Sequence, residues 1–485
     1  MTDMNLDRKS PTLTRRPWLA LGAGALALAA GCAVGPDYKR PEVKMASTYK
    51  ESPGWKVASP EDGALKGTWW EMFDDPVLNA LEARVAVSNE TVRQALANYE
   101  VATQTLRATK TGYGPQIGVA GSAQRSKATP ASGGRAQPTN FYTAELQASW
   151  EPDIWGKLRR TVEADAAAAA ASEADLGNAV LSMQAALAQN YIGLRASDEK
   201  IRLLENAVAA YTRTLKISQN KYSVGVSARS DVIVAQAQLD STRAQLIAAG
   251  VQRAQYEHAI AVLVGQAPSD FSVERTATIG LTVPQVPQQL ASSLLERRPD
   301  VAAAERLAQA ANARIGIQTA AYFPSLSLTG SGGYEGSPLS SLLTTPFRFW
   351  TLGAQASDAL LDWGQRHDLV LSAKASYEAS AANYRETVLT ALQQVEDNLA
   401  GLRILNEESK VQEAAVAEAT LAAQIASNEY NAGTVDFTTV AAAQVTELSN
   451  RETALSVLQS QLSSSVALIQ ALGGGWTAAQ NDKNR

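Results

Sequence analysis

The chain has 485 residues, of which 6% are aromatic and only 5 are Met, so alanine supplies much of its apolar share. Its formal net charge of -5, from 43 Lys and Arg against 48 Asp and Glu, leaves no basic excess for nucleic acid and no strongly acidic balance. Such a composition argues against a bulky compact core and for long helices packed closely side by side.

Residues 1–31 are a different material. Lys9, Arg15 and Arg16 precede an apolar run from Trp18 to Ala30, the layout of a secretory signal peptide and too short to span a bilayer permanently. The run ends in Leu28-Ala29-Ala30-Gly31-Cys32, small residues before the only cysteine, and so resembles a bacterial lipoprotein processing site, although Ala29 stands where a larger aliphatic residue is usual. The resemblance implies cleavage before Cys32, with S-diacylglycerol and N-acyl groups on the new N-terminus, and Ala33 after the cysteine points to the outer membrane. Residues 32–75 then form the lipid anchor and N-terminal segment. The Arg15-Arg16 pair also matches a twin-arginine export signal, but basic residues occur in every signal peptide. No later segment offers 18 consecutive apolar residues, so any bilayer crossing falls to strands.

The mature chain is a duplication. Trp155-Gly156 recurs as Trp363-Gly364, and 363 minus 155 is 208. Asn220, Tyr222, Gly225, Gln236 and Gly265 recur at the same displacement as Asn428, Tyr430, Gly433, Gln444 and Gly473, and Pro115 and Gly121 recur one residue further on as Pro324 and Gly330. An ordered series of this kind marks two structural repeats, at 76–267 and 291–475, joined by a proline-bearing linker at 268–290 and followed by a tail at 476–485. Each repeat reads as helix, two strands, very long helix, turn and returning helix.

The long helix from about Lys157 to Tyr222 lacks proline and contains six consecutive alanines, Ala166 to Ala171. About 65 helical residues reach on the order of 100 Å. Its counterpart runs from about Gln365 to Tyr430. Past Gly225 the returning helix carries Val232, Ala235, Leu239, Leu246, Ala249, Tyr256, Ile260 and Leu263, interrupted by Thr242 and Arg253; the second repeat offers Val445, Leu448, Leu455, Leu462, Val466 and Ile469. Spacing of three and four is that of a coiled-coil seam, so each repeat is expected to hold an antiparallel helical hairpin.

The strands point to a membrane. Tyr142, Ala144, Leu146, Ala148 and Trp150 alternate with Thr143, Glu145, Gln147 and Ser149, and Trp350, Leu352, Ala354 and Ala356 alternate with Thr351, Gly353, Gln355 and Ser357. Weaker partners carry Ile117 and Val119, then Leu326 and Leu328. Alternation puts one apolar and one polar face on each strand, although half-buried strands of soluble sheets share it. Aromatic residues near strand ends favour the membrane. Four strands cannot close a barrel, because the smallest have about 8 and an open edge is not tolerated in hydrocarbon. Self-association follows.

Several motifs resemble the outer-membrane factor family of the TolC, OprM and NodT type across essentially the whole mature chain. They are Val34-Gly35-Pro36-Asp37-Tyr38-Lys39-Arg40-Pro41, Trp69-Trp70 with Phe73, Asp75 and Pro76, Arg297-Arg298-Pro299-Asp300-Val301, Ala321-Tyr322-Phe323-Pro324-Ser325 and Ala471-Leu472-Gly473-Gly474-Gly475-Trp476. The fold class implied is mainly α with a transmembrane β-barrel portion: a homotrimer whose twelve strands make one barrel above a periplasmic α-helical tunnel. The function implied is the outer-membrane channel of a tripartite efflux pump of RND type, partnered by a periplasmic adaptor and an inner-membrane transporter. A non-conducting periplasm-spanning lipoprotein and the exit duct of a type I secretion system are the competing readings.

In that family carboxylates six or nine residues after the turn glycine constrict the closed tip. Asp231 lies six after Gly225, whereas Thr439 and Ala442 occupy the matching places after Gly433, with Asp436 the nearest substitute. A gate of Arg229, Asp231 and Asp436 beside the turns at Gly225 and Gly433 is one reading, and helix capping by Asp231 is the other. No enzyme, metal or cofactor site is expected: the only histidines, His258 and His367, stand far apart and no second cysteine or phosphate-binding glycine loop occurs.

Overall fold

A computed structural model describes residues 33–43, 50–51, 68–127, 137–276, 278–284 and 298–474. Cys32 and the signal segment lie outside the described residues. The order of elements is α1 (Pro76–Ser88), α2 (Glu90–Thr111), β1 (Gln116–Lys127), β2 (Pro138–Trp150), α3 (Lys157–Ser223), α4 (Arg229–Leu263), α5 (Pro299–Ala320), β3 (Ser325–Gly336), β4 (Arg348–Ser357), α6 (Gln365–Ala432) and α7 (Phe437–Ala471). The protein is therefore mainly helical with a few antiparallel strands. The chain divides into two units, one of 1–39, 104–167 and 309–379, the other of 40–103, 168–308 and 380–485.

The first unit holds the four strands, antiparallel in the order β1-β2-β3-β4. Around them the Val34-Gly35-Pro36-Asp37 motif is strapped to α3: the Arg160 guanidinium donates to the Val34 and Gly35 carbonyls, both at 3.2 Å, and to the Asp37 carboxylate at 2.9 Å. Gly35 sits at φ 98°, and a Cβ there would stand 2.4 Å from Gly316 Cα, so the motif needs glycine for conformation and for space.

The second unit is a helical core. Trp69 and Phe73 pack with Leu78, Leu187, Leu462 and Ile469. Locally, Asp75 accepts the amides of Val77 and Leu78 at 2.8 and 3.0 Å and Pro76 follows it, a standard helix start. The single opening helix expected in the first repeat is broken at Asn89, whose side chain accepts from Thr91 and Val92 to cap α2 and donates to the Leu263 carbonyl at 2.9 Å. The long helices run 67 and 68 residues without interruption.

The seam pattern holds for Ala235, Leu239, Ala249 and Ile260, all buried. Its two interruptions belong to it. Thr242 is buried with its hydroxyl donating to the Gln238 carbonyl at 2.9 Å, and Arg253 reaches the buried Asp198 at 2.7 Å. Val445, expected in the second seam, is instead exposed. Val440 and Ala441 take the inward positions because Phe437 anchors the start of α7.

Candidate functional site: a one-faced sheet and the hairpin tips

The strand register decides which side chains share a face. Ile117 opposes Ala148 and Val119 opposes Leu146; Leu146 then opposes Gly332 and Ala148 opposes Gly330; these oppose Trp350 and Leu352. All the apolar series seen in the separate strands therefore fall on one face of the sheet. The other face carries Gln116, Ser122, Glu145, Gln147, Ser331, Thr351 and Gln355. The apolar face is bare: Val119 is 84% exposed, Leu352 77% and Trp350 76%. Burying such a side chain is worth roughly 1.5–3 kcal/mol, so a face of this kind fits hydrocarbon rather than water. Among the described residues no helix is long and apolar enough to cross a membrane.

The two hairpin turns, in the second unit, are built alike. After α3, Val226 N–H donates to the Lys221 carbonyl at 2.9 Å and Gly225 N–H to Tyr222 at 3.0 Å; after α6, Thr434 donates to Glu429 at 3.0 Å and Gly433 to Tyr430 at 3.1 Å. This paired pattern is a Schellman motif, which requires a left-handed residue at the glycine, and φ is 78° at Gly225 and 82° at Gly433. A Cβ at either would meet nothing within 4 Å. The constraint is the backbone alone.

Around these turns the sequence-derived gate residues take separate positions. Asp231 occupies the first turn of α4, whose N-cap is Ala228; its carboxylate accepts from the Ser227 hydroxyl at 2.8 Å and lies where the helix dipole favours negative charge. Arg229 is exposed at the head of α4. Asp436 is the N-cap residue of α7 but its side chain makes no capping hydrogen bond. Among the described residues no ion pair joins any two of these three. His258 and His367 are both exposed, and no cluster of three metal-ligating side chains occurs among the described residues.

Sequence reading missed what ties the hairpins together. The Lys221 ammonium donates to the Tyr430 carbonyl and sits 3.9 Å from the centre of its ring. The Tyr430 hydroxyl meets Ser218 Oγ at 3.2 Å, and Phe437 packs edge-on at 5.6 Å. The duplicate positions have diverged: Tyr430 is 5% exposed while Tyr222 is 47%, and Arg229 stands where the second repeat has Phe437 (437 minus 208 is 229). That last difference was the one available signal.

Two duplicated helical hairpins and a sheet with a bare apolar face define a membrane-embedded protein of the channel-forming kind. The chain matches the outer membrane efflux protein family over residues 83–266 and 290–474, two segments that reproduce the duplication, and it belongs to that family. It is 28% identical over 462 residues to the probable efflux pump outer membrane protein TtgC of Pseudomonas putida, covering 94% of this chain and 95% of that protein. It is 26% identical to the cation efflux system protein CusC of Escherichia coli O6:H1, covering 93% and 97%. Among solved structures it resembles the outer-membrane channel OprN with a TM-score of 0.87 and 28% identity, over 92% of this chain and all of that one. The protein is thus an outer-membrane channel of efflux systems.

Proposed function

We propose that this chain is one protomer of a homotrimeric exit duct. Three four-stranded sheets close a twelve-stranded barrel in the outer membrane, the helical hairpins line a periplasmic tunnel, and lipid on Cys32 anchors each protomer. A periplasmic adaptor and an inner-membrane transporter of RND type supply the substrate and the energy, and flow through the duct is passive. Arg229, Asp231 and Asp436 beside the glycine turns act as the gate.

One observation carries this reading: a sheet whose apolar face is bare and whose outer strands, β1 and β4, each pair on one side only. In hydrocarbon both edges must be satisfied, and further copies of the same sheet satisfy them. A non-conducting rod needs neither the sheet nor its apolar face. Substrate choice is assigned to the transporter, since relatives named for cation efflux and for an efflux pump match this chain nearly equally.

Single-channel recording from purified protein in planar bilayers tests the reading. A reproducible conductance that copurifies with a trimer supports it; a monomer that stays silent even after the tip is loosened by mutation refutes it.

A further inference from the structure

The four strands carry five charged residues, and the register separates them by sign. Arg125 and Lys127 on β1 and Arg348 on β4 share the face of Val119, Leu146 and Leu352, whereas Glu145 on β2 and Glu335 on β3 lie on the polar face. All three cations are exposed. Among the described residues none of them enters an ion pair, and neither connecting loop, 128–137 or 337–347, contains an acidic residue that could supply one. Duplication does not account for the arrangement. Arg348 stands where the first repeat has Asn140 (348 minus 208 is 140), and Arg125 stands where the second has Tyr334 (125 plus 209 is 334). Each repeat carries its charge on a different strand, yet every cation falls on one face and at one end of the sheet.

A charge on the lipid-facing side of a strand is costly at mid-depth and close to free only at the boundary of the hydrocarbon. Arg125 and Lys127 are the tenth and twelfth residues of β1, and Arg348 is the first of ten in β4. A strand needs about 9–11 residues to cross, so all three stand where the sheet leaves the apolar layer. That end is the one away from the helices, since α2 leads into β1 and α3 leaves β2 at the other. We infer that this far rim of the apolar face binds the phosphate groups of a phosphorylated glycolipid, the lipid of the external leaflet, through Arg125, Lys127 and Arg348. The inference rests on the proposed membrane barrel and adds the lipid that the barrel selects.

Charge complementarity names the occupant. Arg125 and Lys127 lie two residues apart on one face of β1, about 7 Å along the strand; like charges that close repel, and an anion between them turns the repulsion into attraction. The planar fork of an arginine matches two phosphate oxygens at once. Beside the cations, on the same face, stand Tyr142, Tyr334 and Trp350: Tyr142 opposes Ala123, two residues before Arg125, and Tyr334 opposes Arg348. Such amphipathic rings settle at the level of lipid headgroups. The helix-side end of the face differs, with Ile117 opposite Ala148 and Leu326 opposite Ala356 and no charge. A surface built for the acidic phospholipid of the periplasmic leaflet would carry its cations at that end.

Lipid titration of the full-length protein in non-ionic detergent, followed by native mass spectrometry, tests this. The probes are diphosphorylated lipid A, its dephosphorylated form and phosphatidylglycerol. The unaltered protein should bind the diphosphorylated form most tightly. Since each cation at an anionic lipid surface is worth about a factor of five, R125Q/K127Q/R348Q should weaken that binding by on the order of 100-fold and leave the dephosphorylated form unaffected. Equal binding of the two forms of lipid A removes the phosphate from the site, and equal binding of phosphatidylglycerol removes the glycolipid. A triple variant that binds like the unaltered protein removes the three cations. The comparison of lipids needs no variant, so it decides the matter even if the triple variant does not fold. An alkaline wash of native membranes keeps the two readings apart: a protein that is stripped off sinks the barrel, whereas one that resists the wash and shows no preference among the lipids sinks the glycolipid site alone.

Discussion

The Arg253 guanidinium donates to Asp198 Oδ1 at 2.7 Å, joining α4 to α3 through a carboxylate with no solvent exposure. Arg195 pairs with the other oxygen at 3.3 Å and its guanidinium also donates to the Tyr191 hydroxyl at 2.7 Å, which in turn donates to Asp75 at 2.8 Å, the residue that starts α1. A chain of buried polar groups thus runs through three helices with its members satisfied. Removing one member of a buried pair strands the other, at a cost of about 3–5 kcal/mol. Arg253→Met should destabilise the protein by about 3 kcal/mol, near the bottom of that range because Arg195 still neutralises Asp198, and lower the thermal midpoint in detergent accordingly. Combining it with Asp198→Asn should cost less than the sum of the two single changes, and strict additivity would show that the contact carries no coupling.

Glu82 offers a contrast. It lies on α1, wholly buried, and neither carboxylate oxygen finds a hydrogen-bond partner. Burial, uncompensated by a hydrogen bond, pushes its carboxyl up from 4.5 to about 9. The group is therefore protonated in the folded protein at neutral pH. In the unfolded chain it ionises near 4.5, so the folded state holds the extra proton between those values, and stability falls as pH rises through that window, by about 1.4 kcal/mol per pH unit. Glu82→Gln, which cannot ionise, should flatten this slope. Thermal melts of both proteins from pH 5 to 9 check it, the difference between the two isolating Glu82 from other titrating groups.

The turn glycines differ from a helical glycine in sign as well as size. Gly225→Ala and Gly433→Ala place a Cβ in a left-handed conformation, costing roughly 1–2 kcal/mol each. Gly250, inside α4 with open space around it, should respond oppositely: Gly250→Ala is expected to stabilise by about 0.5–1 kcal/mol through helix propensity and the unfolded chain. Melting midpoints of the three variants decide this. Stabilisation by Gly433→Ala would contradict the turn assignment.

At the tips, Lys221 holds Tyr430 by a carbonyl hydrogen bond and a cation–π contact worth about 0.5–2 kcal/mol. Lys221→Ala should loosen the two hairpins and raise the closed-state conductance in planar bilayers. Asp231→Ala removes a negative charge at the head of α4 and, under the gate proposal, should reduce cation selectivity. If Asp231→Ala shifts only the melting temperature, its carboxylate serves the first turn of α4 alone.

Periodicity alone carried the sequence far. Repeats offset by 208 residues, breaker-free stretches ending at Gly225 and Gly433, and alternation from Tyr142 to Trp150 determined the hairpins and the two-faced strands, because backbone geometry writes its period directly into side-chain polarity. What the sequence could not contain was pairing between elements. That the apolar series of four separate strands share one face depends on register; that Arg253 belongs in a seam depends on Asp198, 55 residues earlier; that Asn89 breaks a helix depends on the Leu263 carbonyl. The recurrence of Tyr222 as Tyr430 also hid their asymmetry, since the two tyrosines differ in what packs against them. A one-dimensional pattern fixes which way a side chain points from its own element, and only the tertiary structure supplies the partner it meets.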